Sequence, residues 1–267
     1  MKNTRWFVLV VSFMVSLLLP AMAKAQSPFG GTWKINPKTA KLLEKPDVYL
    51  LQDGMYHCKT CVPPHDVKAD GQDHKVSGDP YSDTMSVKVV DDRTIETTFK
   101  KNGKIVATGK TWVSADGNTM TNEFTDSSNT NSDPVTGKVE AKRVAKGPAG
   151  SHAISGSWRA AKVDAISDNN LVFTFKLSGD SLSFSAPTGQ NYTAKLNGAD
   201  APFKGDPGVT TVSVKRVDKN TLEETDKRNG KAIYVSLYTV SGDGKTITIK
   251  MDDKLHGTTY QFTGAKQ

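Results

Sequence analysis

One stretch of the chain occurs twice. Shifting the sequence by 127 positions lays residues 78–121 on residues 205–248 without a gap, and about half of the positions are identical. Any fold for this chain must therefore be one that can be built twice over, from units of about 115 to 120 residues, each large enough for its own core. The implied division is a leader over residues 1–25, a first unit over 27–144, a joining segment over 145–155 and a second unit over 156–267. The joining segment is assigned from its Gly, Pro and small residues.

The leader has Lys2 and Arg5 ahead of an apolar run from Trp6 to Leu19, then Ala21, Ala23 and Ala25, which is the layout of a secretory signal peptide cut after Ala25. Its apolar run is short for a membrane span, and no second such run follows. The expected product is an exported protein, periplasmic or secreted, with no membrane span. Removing Lys2, Arg5 and Lys24 lowers the formal net charge from +7 to +4, and the remaining basic residues alternate with acidic ones. Nucleic-acid binding needs a concentrated basic face and is not expected.

Each unit reads as short strands separated by turns. Asp53-Gly54, Asn102-Gly103 and Asp116-Gly117 in the first, and Asn229-Gly230 and Asp243-Gly244 in the second, carry residues that tolerate positive φ in tight hairpins. Spacings of about ten residues between such turns predict an all-β antiparallel meander of about nine or ten strands per unit. Asn36-Pro37 predicts the start of a short helix running to Leu43, and residues 160–170 a weaker counterpart.

One hairpin can be set in register. Met85, Val87 and Val89 share a face, as do Ile95, Thr97 and Phe99, and a short turn at residues 91–93 puts Val89 opposite Ile95 and Lys88 opposite Glu96. The second unit then pairs Lys215 with Glu223. Across the repeat the polar face is retained at Ser86, Lys88, Thr94, Glu96, Thr98 and Lys100, whereas Thr97 and Phe99 become Glu224 and Asp226. The retained face reads as a solvent-facing ladder, with a polar barrel interior as the alternative.

Both units open alike, with Gly31-Thr32-Trp33-Lys34 and Gly156-Ser157-Trp158-Arg159. With the meander that follows, this G-x-W opening resembles the calycin superfamily of lipocalins and fatty-acid-binding proteins, and the whole chain looks like bacterial secreted proteins with tandem lipocalin-like repeats. The resemblance implies two antiparallel barrels, each closed at one end by its tryptophan under a basic residue from the last strand. Arg143 or Lys142 is then expected to cover Trp33, and Lys266 is what the second unit offers over Trp158. It also implies a small apolar or amphipathic ligand held in the barrel interior.

The densest chemistry lies in one unit only: His57, Cys58, Cys61 and His65 fall on Phe184, Ser185, Thr188 and Tyr192 of the other. Three readings stay open. Cys58 and Cys61 can form a disulfide in an oxidising compartment, worth less than the roughly 3 kcal/mol of a fifteen-residue loop. With His57 or His65 they can supply a zinc site. A redox role wants the first cysteine at a helix N-terminus, and here it sits between strands. The chain lacks G-x-S-x-G, H-E-x-x-H and G-x-G-x-x-G, so neither an enzyme nor a cofactor is expected, and no residue is nominated as catalytic. Beside the ligand carrier stand a structural or interaction module of the cell envelope, using the changed face at Phe99 and Asp226, and a metal or redox role at the two cysteines. Nothing in the sequence names a protein partner.

Overall fold

The computed structural model describes residues 27–41, 45–128 and 132–267, so the expected leader lies outside the described residues. The chain is all-β, as the turn spacing predicts, and its strands form two ten-stranded antiparallel sheets. Strand β1 is Gly31–Lys41. There follow β2 (Asp47–Gln52), β3 (Met55–Cys58), β4 (His65–Lys68), β5 (His74–Lys75), β6 (Thr84–Asp91), β7 (Thr94–Lys101), β8 (Lys104–Val113), β9 (Thr119–Asp126) and β10 (Val135–Lys146). The second half contributes β11 (Gly156–Ile166), β12 (Val172–Ser178), β13 (Ser181–Ser185), β14 (Asn191–Lys195), β15 (Asn197–Pro202), β16 (Thr211–Arg216), β17 (Thr221–Arg228), β18 (Lys231–Val240), β19 (Thr246–Asp253) and β20 (Thr258–Lys266).

The two sheets do not follow the sequence repeats. One runs β4-β3-β2-β11-β10-β9-β8-β7-β6-β5, and the other β14-β13-β12-β1-β20-β19-β18-β17-β16-β15. Each G-x-W strand has crossed into the barrel of the other repeat: β1 lies between β12 and β20, and β11 between β2 and β10. The first barrel is thus continuous in sequence, from β2 to β11, and is inserted between β1 and the rest of the second. Both sheets curl until their ends nearly meet. Asn191 and Lys204 exchange two backbone hydrogen bonds of 2.9 Å in the second barrel, and Gly71 N–H donates to Val87 at 2.9 Å in the first. Closing a sheet on itself hides edges that would otherwise invite pairing with other chains.

Residues 145–155 therefore do not join two domains. They connect β10 to β11 within the first barrel and send Ile154 into its core. The expected helix from Pro37 is also absent: β1 continues to Lys41, and residues 42–44 lie outside the described residues. Asn36 does bond its own backbone neighbours, its Oδ1 accepting from Lys38 N–H at 3.0 Å, but this Asx turn makes a bulge in the strand instead of capping a helix. In the second half a single 3₁₀ turn stands at Asp168–Asn170.

Other local expectations hold. Asp53, Asn102 and Asn229 take φ of 51°, 51° and 52°, each followed by a positive-φ glycine, which is the primed hairpin geometry. Lys88 pairs with Glu96, Val89 with Ile95 and Lys215 with Glu223. Lys88 and Glu96 face solvent, so the retained polar face is an outer ladder; the changed face, with Phe99 or Asp226, points inward and is no partner surface.

The exchange also reassigns the barrel ends. Trp158 is fully buried in the first barrel and Trp33 in the second. Arg143 stacks over Trp158, its guanidinium carbon 3.9 Å from the ring centroid, and Lys266 Nζ lies 4.8 Å from that of Trp33. The covering cation thus comes from the expected strand but covers the other tryptophan. Each indole N–H donates to a carbonyl four residues back, Phe29 at 2.9 Å and Ile154 at 2.8 Å. Arg143 donates further to the carbonyls of Gly117, Ala153 and Ser155.

The glycine of G-x-W is required on two counts. Gly31 and Gly156 have φ of 132° and 125°. A Cβ on Gly156 would come within 2.3 Å of the Ala145 carbonyl oxygen, whereas one on Gly31 would meet only the Lys266 side chain, at 3.2 Å. Gly156→Ala should cost at least about 2 kcal/mol in denaturant unfolding, and Gly31→Ala less, because a lysine stem yields where backbone cannot. Equal costs would contradict this account of the difference.

Candidate functional site

Side chains do not fill the interiors. The second barrel holds a cavity of about 410 Å³ and the first one of about 400 Å³, both inside the usual size range of small-molecule sites. Val163 of the exchanged strand β11 lines both, so the two cavities share part of a wall.

The second cavity is mainly apolar, walled by Phe173, Phe184 and Phe203, with Ile35 supplied by exchanged strand β1. Phe173, Phe175, Phe184, Tyr192, Phe203 and Tyr238 form a continuous group of edge-on and stacked rings, which stiffens the wall. Polar side chains enter from the loops at Asn170, Thr188 and Gln190 and, against the strand pattern, from one strand. On β17 the inward positions after Leu222 carry Glu224 and Asp226, where pleat alternation calls for apolar side chains. Glu224 is 5% exposed and accepts hydrogen bonds from the hydroxyls of Tyr192 and, at 3.3 Å, Tyr238. Ser236 lies opposite it on β18. Asp226 is partly buried, and its Oδ1 is shut off from solvent with no hydrogen-bond partner. No Lys or Arg lines this cavity among the described residues.

Burial raises both carboxyls, Glu224 to about 7 against the pull of its two tyrosines, and Asp226 to about 9, with Glu224 and Asp206 adding repulsion. Tyr192 and Tyr238 are pushed well above their usual value by the same burial.

The first cavity has neutral groups at the matching positions. Under the 127-residue shift Tyr192, Glu224, Asp226 and Tyr238 correspond to His65, Thr97, Phe99 and Thr111. His65 is 8% exposed and lined up with the cavity, with a buried Nδ1 lacking a partner; burial lowers its pKa and favours the neutral ring. Asn122 donates to Thr111 Oγ1 at 2.7 Å on the same wall.

The cysteine cluster separates into two faces. Cys58 and Cys61 form a disulfide, the first of the three readings of that pair. Cys58 and His65 point inward, while His57 lies on the outer face against Asp66. The set His57, Cys58, Cys61 and His65 is therefore not a joint metal site, and no group of three metal-ligating side chains converges among the described residues. Beside the disulfide a groove lies between the barrels, where Lys45 Nζ donates to the His256 carbonyl at 2.9 Å.

No protein-family model matches the chain, nor does any curated protein or solved structure. Two nearly closed antiparallel barrels are consistent with a calycin-like architecture. The chemistry rests on the interiors alone.

Among the described residues no helix is long and apolar enough to cross a membrane. The carboxyl and tyrosine group was missed by sequence reasoning as a site. Its signal was the change from Thr97 and Phe99 to Glu224 and Asp226 at inward positions of a strand whose other features are retained.

Proposed function

We propose that the chain is an exported, non-catalytic carrier of calycin type that holds a small amphipathic ligand in the second barrel. The observation that carries this reading is the 410 Å³ interior: a mainly apolar, largely aromatic wall with a few polar side chains, the usual composition of a ligand site. A purely structural module has no use for such a void, since leaving a core unfilled costs stability. Export is supported by the leader-like residues 1–25 and by a disulfide that persists in oxidising compartments.

Filling the void tests the reading. Met251→Trp, at a lining position on β19, should lower the affinity for an apolar fluorescent probe by about ten-fold or more, with an overpacking cost of about 1–3 kcal/mol. Unchanged probe affinity in a folded variant would place binding elsewhere.

A further inference from the structure

The polar end of this cavity is chemically one-sided. Glu224 brings two oxygens that already accept from tyrosine hydroxyls, Asp226 lines the cavity with a partly buried carboxyl, one oxygen of which is sealed off without a hydrogen-bond partner, Ser236 adds a hydroxyl, and Thr188 and Gln190 bond each other. Two carboxyls enter the lining without a cation to balance them among the described residues. Such a pair, buried without a counter-charge, is costly in the empty protein and gains from a partner that brings one. A fatty carboxylate brings the wrong sign. An alcohol satisfies one acceptor and brings no positive charge, so the pair stays protonated. Only an ammonium offers several donors and a positive charge together.

The spacing suits one such group. Residues two apart on a strand start roughly 7 Å apart on the same face, a span that one nitrogen placed between the two side chains can bridge with a hydrogen bond to each. The rings of Phe173, Phe184 and Phe203 beyond offer an apolar wall to a chain. The first barrel, with Thr97 and Phe99 at the same positions, offers no such pair.

We propose that the second barrel takes a protonated primary amine on an apolar chain, its ammonium held between Glu224 and Asp226. This rests on the cavity being a ligand site. The groups facing the pair are Tyr192 from β14 and Tyr234 and Tyr238 from β18, with Asp206 from the loop before β16 beyond them. The tyrosines stay neutral, so the proton displaced when the ammonium arrives comes from the carboxyl pair and goes to solvent. Amine binding near neutral pH therefore releases a proton, and alcohol binding does not.

The experiment is calorimetric titration of the full chain with decylamine, decanol and decanoate near pH 7, in two buffers of different ionisation heat. Decylamine should bind more than about ten-fold tighter than decanol, with proton release, and decanoate weakest. Glu224→Gln together with Asp226→Asn should remove the amine preference and the proton release while decanol affinity stays. A thermal melt of the same variant shows that it is folded. Decanol binding as tightly as decylamine, or an amine preference that survives the double substitution, overturns this inference and leaves the carrier reading standing. Failure of all three probes overturns both.

Discussion

A chain of residues 45–168 alone will fold cooperatively, and a chain of residues 27–144, the first sequence repeat, will be much less stable. The first fragment contains all ten strands of its barrel, including β11 with the fully buried Trp158. The second lacks β11, so β2 and β10 lose their shared neighbour, the core loses an indole, and Arg143 loses the ring it covers. Removing a buried tryptophan side chain alone costs about 3–5 kcal/mol, a large part of what a domain this size possesses. Urea unfolding of the two fragments compares them directly. If 27–144 unfolds cooperatively at the higher urea concentration, each opening strand belongs with its own repeat and the exchange is wrong.

The second large effect is a dependence on pH that runs opposite to ordinary acid denaturation. Glu224 and Asp226 are raised in the folded protein, to about 7 and about 9, and regain ordinary carboxylate values on unfolding. Between about pH 4 and pH 9 the folded state therefore binds more protons than the unfolded one, and stability falls as pH rises across that window. Glu224→Gln with Asp226→Asn should flatten this fall. At pH 8 the variant should be more stable than the parent by about 1–3 kcal/mol, and at pH 4.5 nearly equal to it. Melting curves at the two pH values provide the comparison; a variant destabilised equally at both would mean that the pair is ionised and well solvated.

The parts of the fold that depend on neighbours in sequence were legible. Asn102-Gly103 and Asn229-Gly230 dictate their hairpins because few other residues accept positive φ twice in succession. Lys88 opposite Glu96 follows from strand alternation and a short turn. The exchange of β1 and β11 was not legible, for a physical reason. The recognisable signal of the two opening strands, Gly-x-Trp followed by a basic residue, is the same in both, so it holds no preference between crossing and returning. The Asn36-Pro37 signal failed differently: the side chain made its local bonds, but pairing of β1 with β20 on either side of the bulge outweighed a helix of two turns. In the candidate site the disulfide was foreseen as one of three readings. The acids were visible as a departure from the repeat, but their inward direction was given only by the register of β17 against β18.

The crossing strands have a consequence for cleavage. The chain passes from one barrel to the other twice, once between β1 and β2 and once between β11 and β12. A protease that cuts one of these passages leaves the other intact, and a cut after β1 leaves that strand clasped by β12 and β20. No single nick can release either barrel, so durability in a protease-rich medium would come from the order of the strands as well as from the depth of the cores.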